Sequence, residues 1–185
     1  MLRFKERYQK EVIPAMMAKF GYKDKMAVPA IEKVSANVGF GRETASLGSE
    51  EQKKIQQTVL SDLSLICGQK PVLTFAKKSI ASFKLREGMA IGAKATLRGK
   101  KMEDFVDRLI WAVLPRTRDF RGISEKAIDK CGNLTIGIKE QITFPEVSPE
   151  SAKKIFCLEI TMATTAKNSE EGVELLRLLG FPIKN

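Results

Sequence analysis

The 185-residue chain contains no histidine. That removes the commonest general base and metal ligand, and every catalytic triad built on imidazole. Its three cysteines, Cys67, Cys131 and Cys157, are odd in number and far apart. They form no CxxC pair, so neither a disulfide framework nor a zinc site is expected. No run of 18 apolar residues occurs, which excludes a membrane-spanning helix. The opening Met-Leu-Arg-Phe-Lys-Glu-Arg-Tyr carries charges where a signal peptide needs an apolar stretch. A cytosolic location with no membrane partner is the expectation.

Phosphate-binding loops are also missing. Gly39-Phe40-Gly41 follows a strand pattern, but Thr44 occupies the position of the third glycine of a dinucleotide fingerprint, and no Gly-Lys-Ser/Thr occurs. A turn that needs flexible backbone explains the two glycines better. The pairs Glu50/Glu51 and Glu170/Glu171 stand at helix starts, where the macrodipole favours them. Asp104 and Asp107 are expected on the outer side of an amphipathic helix. With no acid–base cluster, no catalytic residue, cofactor or metal is expected, and the chain reads as a non-enzyme. There is no internal repeat, low-complexity tract or clear linker.

What is abundant is positive charge in one place. Between Lys70 and Lys101 lie nine basic residues, Lys70, Lys77, Lys78, Lys84, Arg86, Lys94, Arg98, Lys100 and Lys101, against the single acid Glu87. This stretch holds +8 of the chain's +10. A field so concentrated is the footprint of a polyanion binder, because cations on phosphates release condensed counterions. Phe75, Phe83, Ser79, Ser82 and Thr96 are interleaved with it. Such residues can stack on bases and bind phosphates, although Phe75 and Phe83 taken singly read as core anchors.

The rest of the chain is ordinary for a globular protein, 43% hydrophobic and 29% charged, with one domain over residues 1–185. Leu2 to Phe20 reads as a helix, kinked or divided at Pro14 and stopped at Gly21. Glu32 to Phe40 alternates: Val34, Ala36, Val38 and Phe40 point one way, Lys33, Ser35, Asn37 and Gly39 the other. Ser49 opens a helix with Gln52 completing a capping box; Ile55, Val59, Leu63 and Ile66 form its stripe, and Gly68 ends it.

Val72 to Phe75 is a short strand, Ser79 to Gly88 a basic excursion. Ile91 to Arg98 is a strand with Lys94, Thr96 and Arg98 on one face. Met102 to Val113 is an amphipathic helix stopped by Pro115. Arg116 to Lys130 is a long loop with room for one helical turn. Residues 133–139 and Cys157 to Thr164 alternate as strands. Glu170 to Gly180 is a closing helix that buries Val173, Leu176 and Leu179. The order of elements departs from a βαβα rhythm. The expected class is α+β: a two-layer sandwich with a mainly antiparallel sheet, helices on one face and a polar face suited to RNA.

Pro115-Arg116-Thr117-Arg118-Asp119-Phe120-Arg121-Gly122 is a second basic patch. Its arginines suit bidentate contacts to phosphate or carboxylate. Equally, Asp119 could tie the loop to itself.

Seven strings occur in order along the chain. They are Asn37-Val38-Gly39-Phe40-Gly41, Gly68-Gln69-Lys70-Pro71, Ala76-Lys77-Lys78-Ser79-Ile80-Ala81, Thr96-Leu97-Arg98-Gly99, residues 115–122, Glu140-Gln141-Ile142-Thr143-Phe144-Pro145-Glu146 and Thr164-Thr165-Ala166-Lys167. In this ordered set the chain resembles the family of bacterial-type large-subunit ribosomal protein five, the 5S rRNA binder, over essentially its whole length.

The resemblance implies a place in the central protuberance of the large subunit. The implied partners are 5S rRNA, 23S rRNA, peptidyl-site tRNA, a small-subunit head protein and other proteins of the protuberance. Asn37, Gln69, Thr96 and Arg98 match the family's rRNA-facing positions, and Lys33 and Lys70 adjoin them. The tRNA-facing loop matches the excursion, with Lys77, Lys78, Ser79, Lys84 and Arg86. Arg116, Arg118 and Arg121 match a region toward the subunit bridge. Ser82 stands where a glycine is usual and Ala90 where a proline is usual, both assigned to the excursion.

Overall fold

In a computed structural model, residues 3–45, 47–118, 120–148 and 154–184 are described. Leu2, the expected first helical residue, and Asp119 lie outside the described residues. The architecture is α+β, a five-stranded antiparallel sheet with helices. Its strands are β1 (Ile31–Gly39), β2 (Val72–Phe75), β3 (Ala90–Leu97), β4 (Leu134–Ile138) and β5 (Leu158–Thr164), in the order β2-β3-β1-β5-β4. The chain forms two compact units, residues 1–34, 97–136 and 161–185 in one and 35–96 with 137–160 in the other.

In the first unit the opening helical run has three parts: α1 (Phe4–Arg7), a π-helical turn (Tyr8–Val12) and α2 (Ile13–Phe20). Proline has no N–H, and its ring crowds the carbonyl four residues back. The wider i→i+5 turn just before Pro14 absorbs both defects. The backbone stays right-handed through Val12 and Ile13, so of the two expected outcomes at Pro14, a kink or a division, the run shows no division. The same device recurs in α5 (Gly99–Arg108), the π-helical turn Leu109–Val113, and α6 (Leu114–Arg116). Pro115 therefore sits inside a helix rather than stopping it.

Helix α1 packs on α5. Asp107, expected on the outer side, is half-buried and accepts the Phe4 N–H at 2.9 Å. It satisfies a donor that a helix start leaves free. Met102, Phe105, Val106, Leu109, Ile110 and Val113 are all buried, as their spacing requires. The loop after α6 contains one short helical turn, Glu125–Ala127. Helix α7 (Ser169–Leu178) contributes Leu175 and Leu176 to this core, followed by Leu179. Val173 is only half-buried, and Leu175 takes the place expected of it.

In the second unit, the short α3 (Gly41–Thr44) precedes α4 (Ser49–Cys67). Val59, Leu63 and Ile66 of α4 are buried and Ile55 partly so. Gly68 ends the helix with φ +64, a left-handed conformation that a Cβ disfavours. No side-chain cap precedes α4. The expected capping box is not formed, because the Gln52 amide donates instead to the carbonyls of Thr44 at 3.0 Å and Leu47 at 2.9 Å. Strands β2 and β3 pair antiparallel with Val72 opposite Lys94, and a bulge interrupts the register between Thr74 and Phe75. Ala90 is the first residue of β3 rather than part of the excursion.

Candidate RNA interface

Along β1, Val34, Ala36, Val38 and the following Phe40 are buried, while Asn37 and Gly39 are exposed and Lys33 and Ser35 half-buried. Along β3, Ala93, Ala95 and Leu97 are buried, and Lys94, Thr96 and the following Arg98 are exposed. A two-residue period with one apolar side forces this arrangement.

In the second unit, Asn37, Gln69, Lys70, Lys94 and Thr96 are at least partly open to solvent. The two amides are held. Asn37 Nδ2 donates to Glu159 Oε2 at 3.3 Å, and Gln69 Nε2 donates to the Thr96 backbone oxygen at 2.7 Å. In the first unit, Arg98 and Glu32 form an exposed ion pair at 3.1 Å. Such a pair is weak in water, so a phosphate can compete for the guanidinium. Thr135 and Thr161 set their hydroxyls 3.4 Å apart on neighbouring strands of the same unit.

The basic excursion has a defined backbone. Ala76 donates to Met89 O at 2.8 Å and Gly88 to Ala76 O at 3.0 Å, closing its base. Ile80 and Leu85 exchange N–H···O bonds of 3.0 and 3.1 Å nearer the tip. The tip is a 3₁₀ turn, Ala81–Phe83, capped by Lys84 at φ +52. The Ser79 hydroxyl accepts the Glu87 N–H at 2.9 Å, so one expected RNA-contacting residue also braces the loop. Lys77, Lys78, Lys84 and Arg86 are exposed, and none forms an ion pair among the described residues.

Phe75 and Phe83 are 55% and 67% exposed, which overturns their reading as core anchors. An open groove of about 830 Å³ is lined in part by Gly41, Arg42, Ala45, Phe83, Lys84 and Leu85. It offers cations and an aromatic face together, as single-stranded segments require. Arg116, Arg118 and Arg121 are exposed in the first unit.

Sequence reasoning did not select Glu159. Its signal was the alternation of β5, which sets Glu159 opposite buried Leu158 and Ile160. Among the described residues no three His, Cys, Asp or Glu side chains form a metal-binding group. No described helix is long and apolar enough to cross a membrane.

These features belong to a structural, RNA-binding class of protein. Residues 24–86 match the family model described as "Ribosomal protein L5", and residues 90–183 match the model of the same ribosomal family's C-terminus. The "Large ribosomal subunit protein uL5" of Clostridium botulinum (strain Eklund 17B / Type B) is 52% identical over 182 residues, 98% of each chain. The protein of that name from Clostridium perfringens (strain 13 / Type A) is also 52% identical over 98% of each chain. That from Alkaliphilus metalliredigens (strain QYMF) is 50% identical over the same share. The chain belongs to the ribosomal protein L5 family. It is an rRNA-binding protein of the cytoplasmic ribosome and of translation, not an enzyme.

Proposed function

We propose that the chain is a structural constituent of the large ribosomal subunit that docks 5S rRNA in the central protuberance. The observation that carries the reading is the solvent-open set of Asn37, Lys70, Lys94 and Thr96, with half-buried Gln69 beside Thr96, in one unit. Neutral amides and a hydroxyl give geometry, and flanking cations attract phosphate. Lys33 and Arg98 supply further cationic contacts. The excursion, through Lys77, Lys78, Ser79, Lys84 and Arg86, contacts peptidyl-site tRNA. Arg116, Arg118 and Arg121 face a small-subunit head protein across the bridge. 23S rRNA and neighbouring proteins of the protuberance complete the partner set. The matched strings support the assignments of Asn37, Gln69, Thr96, Arg98, the excursion and the arginine loop; Lys33 and Lys94 rest on their charge and their places on β1 and β3.

The test is purification from cells under mild salt, followed by sequencing of co-eluting RNA. The expected result is 5S rRNA, lost on ribonuclease treatment. A ribonuclease-insensitive acidic protein in its place would make the chain a protein adaptor instead.

A further inference from the structure

Glu159 is exposed, and a carboxylate is out of place on a surface meant for phosphates. Carboxylate and phosphate oxygens are both acceptors and both anionic, so they repel. Yet Glu159 is not idle, since Asn37 donates to it at 3.3 Å. Gln69 likewise directs its Nε2 to Thr96 O at 2.7 Å. Each amide thus has an N–H engaged inside the protein. Neither amide oxygen has a hydrogen-bond partner among the described residues. Together with the carboxylate they leave acceptors facing a docked ligand.

Acceptors need donors. An RNA helix displays two kinds in its wide minor groove, ribose 2′-hydroxyls and base amino groups. Resting on the reading that this strip docks RNA, we infer that Glu159 is a specificity-determining residue. It fixes the Asn37 amide and, with Asn37 Oδ1 and Gln69 Oε1, receives minor-groove hydrogen-bond donors of the RNA. Lys70 and Lys94 of the same unit attract the phosphates, and Glu159 keeps phosphates off the acceptor positions.

The ordinary alternative is a solubilising charge. It has the opposite sign: removing an anion from a basic surface would strengthen binding of every polyanion. The experiment compares full-length wild type, Glu159→Ala and Glu159→Gln on three probes: a 5S rRNA transcript, a random RNA duplex and a DNA duplex of equal length. Circular dichroism checks the fold of each.

For Glu159→Ala the expected loss on 5S rRNA is about tenfold, the size of a lost charge-assisted hydrogen bond. DNA binding is unchanged or rises, and the salt slope does not fall. Glu159→Gln, which keeps an acceptor oxygen, loses less. Transcripts with 2′-deoxy residues at the protein footprint weaken wild type but add little to Glu159→Ala if hydroxyls are the donors. Inosine in place of guanosine has that effect if amino groups are. Should wild type prefer 5S rRNA while Glu159→Ala binds it equally or better, this inference is overturned and the proposed function stands. Should wild type show no preference for 5S rRNA over the random duplex, the proposed function itself fails.

Discussion

The Gln69 side chain donates to the Thr96 backbone oxygen at 2.7 Å, next to the point where backbone pairing of β2 and β3 begins. Pro71, which has no N–H, immediately precedes β2. The amide therefore extends the ladder that proline cannot. Gln69→Glu removes the donor at nearly constant shape. It should lower the unfolding free energy by about 0.5–1.5 kcal/mol, read by denaturant titration, and weaken 5S rRNA binding as well. A variant as stable as wild type would show that the bond contributes nothing to the fold.

Replacing Lys77, Lys78, Lys84 and Arg86 by alanine should leave 5S rRNA affinity nearly intact while weakening tRNA binding in assembled ribosomes. Removing one cation from a phosphate should reduce the salt slope for tRNA by roughly 0.7–0.9. A comparable fall in 5S rRNA binding would contradict a division of labour between strip and excursion.

Asp62 lies buried on α4, with Oδ2 lacking a partner. Burial raises its pKa, and the nearby Gln141 side chain opposes the rise. An acid raised in the folded state favours folding below its unfolded pKa, and that contribution is lost as pH climbs through the folded value. Stability should therefore increase as the pH falls through the raised folded value toward that of the unfolded carboxylate, and Asp62→Asn should remove this part of the pH dependence. An unchanged pH profile of thermal unfolding in the variant would remove Asp62 as the cause. The same Gln141 side chain bonds Lys154 O at 2.5 Å and the Phe156 N–H at 2.9 Å, so Gln141→Ala should cost more stability than Asp62→Asn.

Within the first unit, Gly172 and Gly132 pack backbone to backbone. A Cβ on Gly172 would collide with the Cα of Gly132 and lie 2.7 Å from its carbonyl oxygen. Neither backbone can give way without disturbing α7 or the Asp129 turn. That turn is held by Asp129 Oδ1, which accepts the N–H groups of Cys131 at 2.9 Å and Asn133 at 2.8 Å. Gly172→Ala should destabilise by about 1–3 kcal/mol, the usual cost of overpacking. Calorimetry showing no fall in Tm would contradict this close approach.

Where the sequence was informative, the physics was local. Gly21 and Gly68 ended their helices at positive φ because those sites need a residue without a Cβ. Alternation along β1 and β3 exposed Asn37, Lys94 and Thr96 as expected. The failures lie where a residue answers to distant neighbours. Pro14 and Pro115 announced a missing donor, but the hydrophobic period gave no sign of the π-helical turns that precede them and absorb it. Gln52 found carbonyls in the preceding turn in place of a cap. Phe75 and Phe83 looked like core residues only because apolar character was read without burial. Glu159 is 122 residues from Asn37, a separation that no local pattern spans.

The central claim is that an exposed polar strip distinguishes one folded RNA from others. It is tested most directly by competition binding of Asn37→Ala and Thr96→Ala chains, with 5S rRNA and a random duplex of equal length as competitors. Each variant should lose about tenfold or more of its 5S rRNA affinity while duplex binding barely changes. Equal losses on both nucleic acids would mean that charge alone holds the RNA.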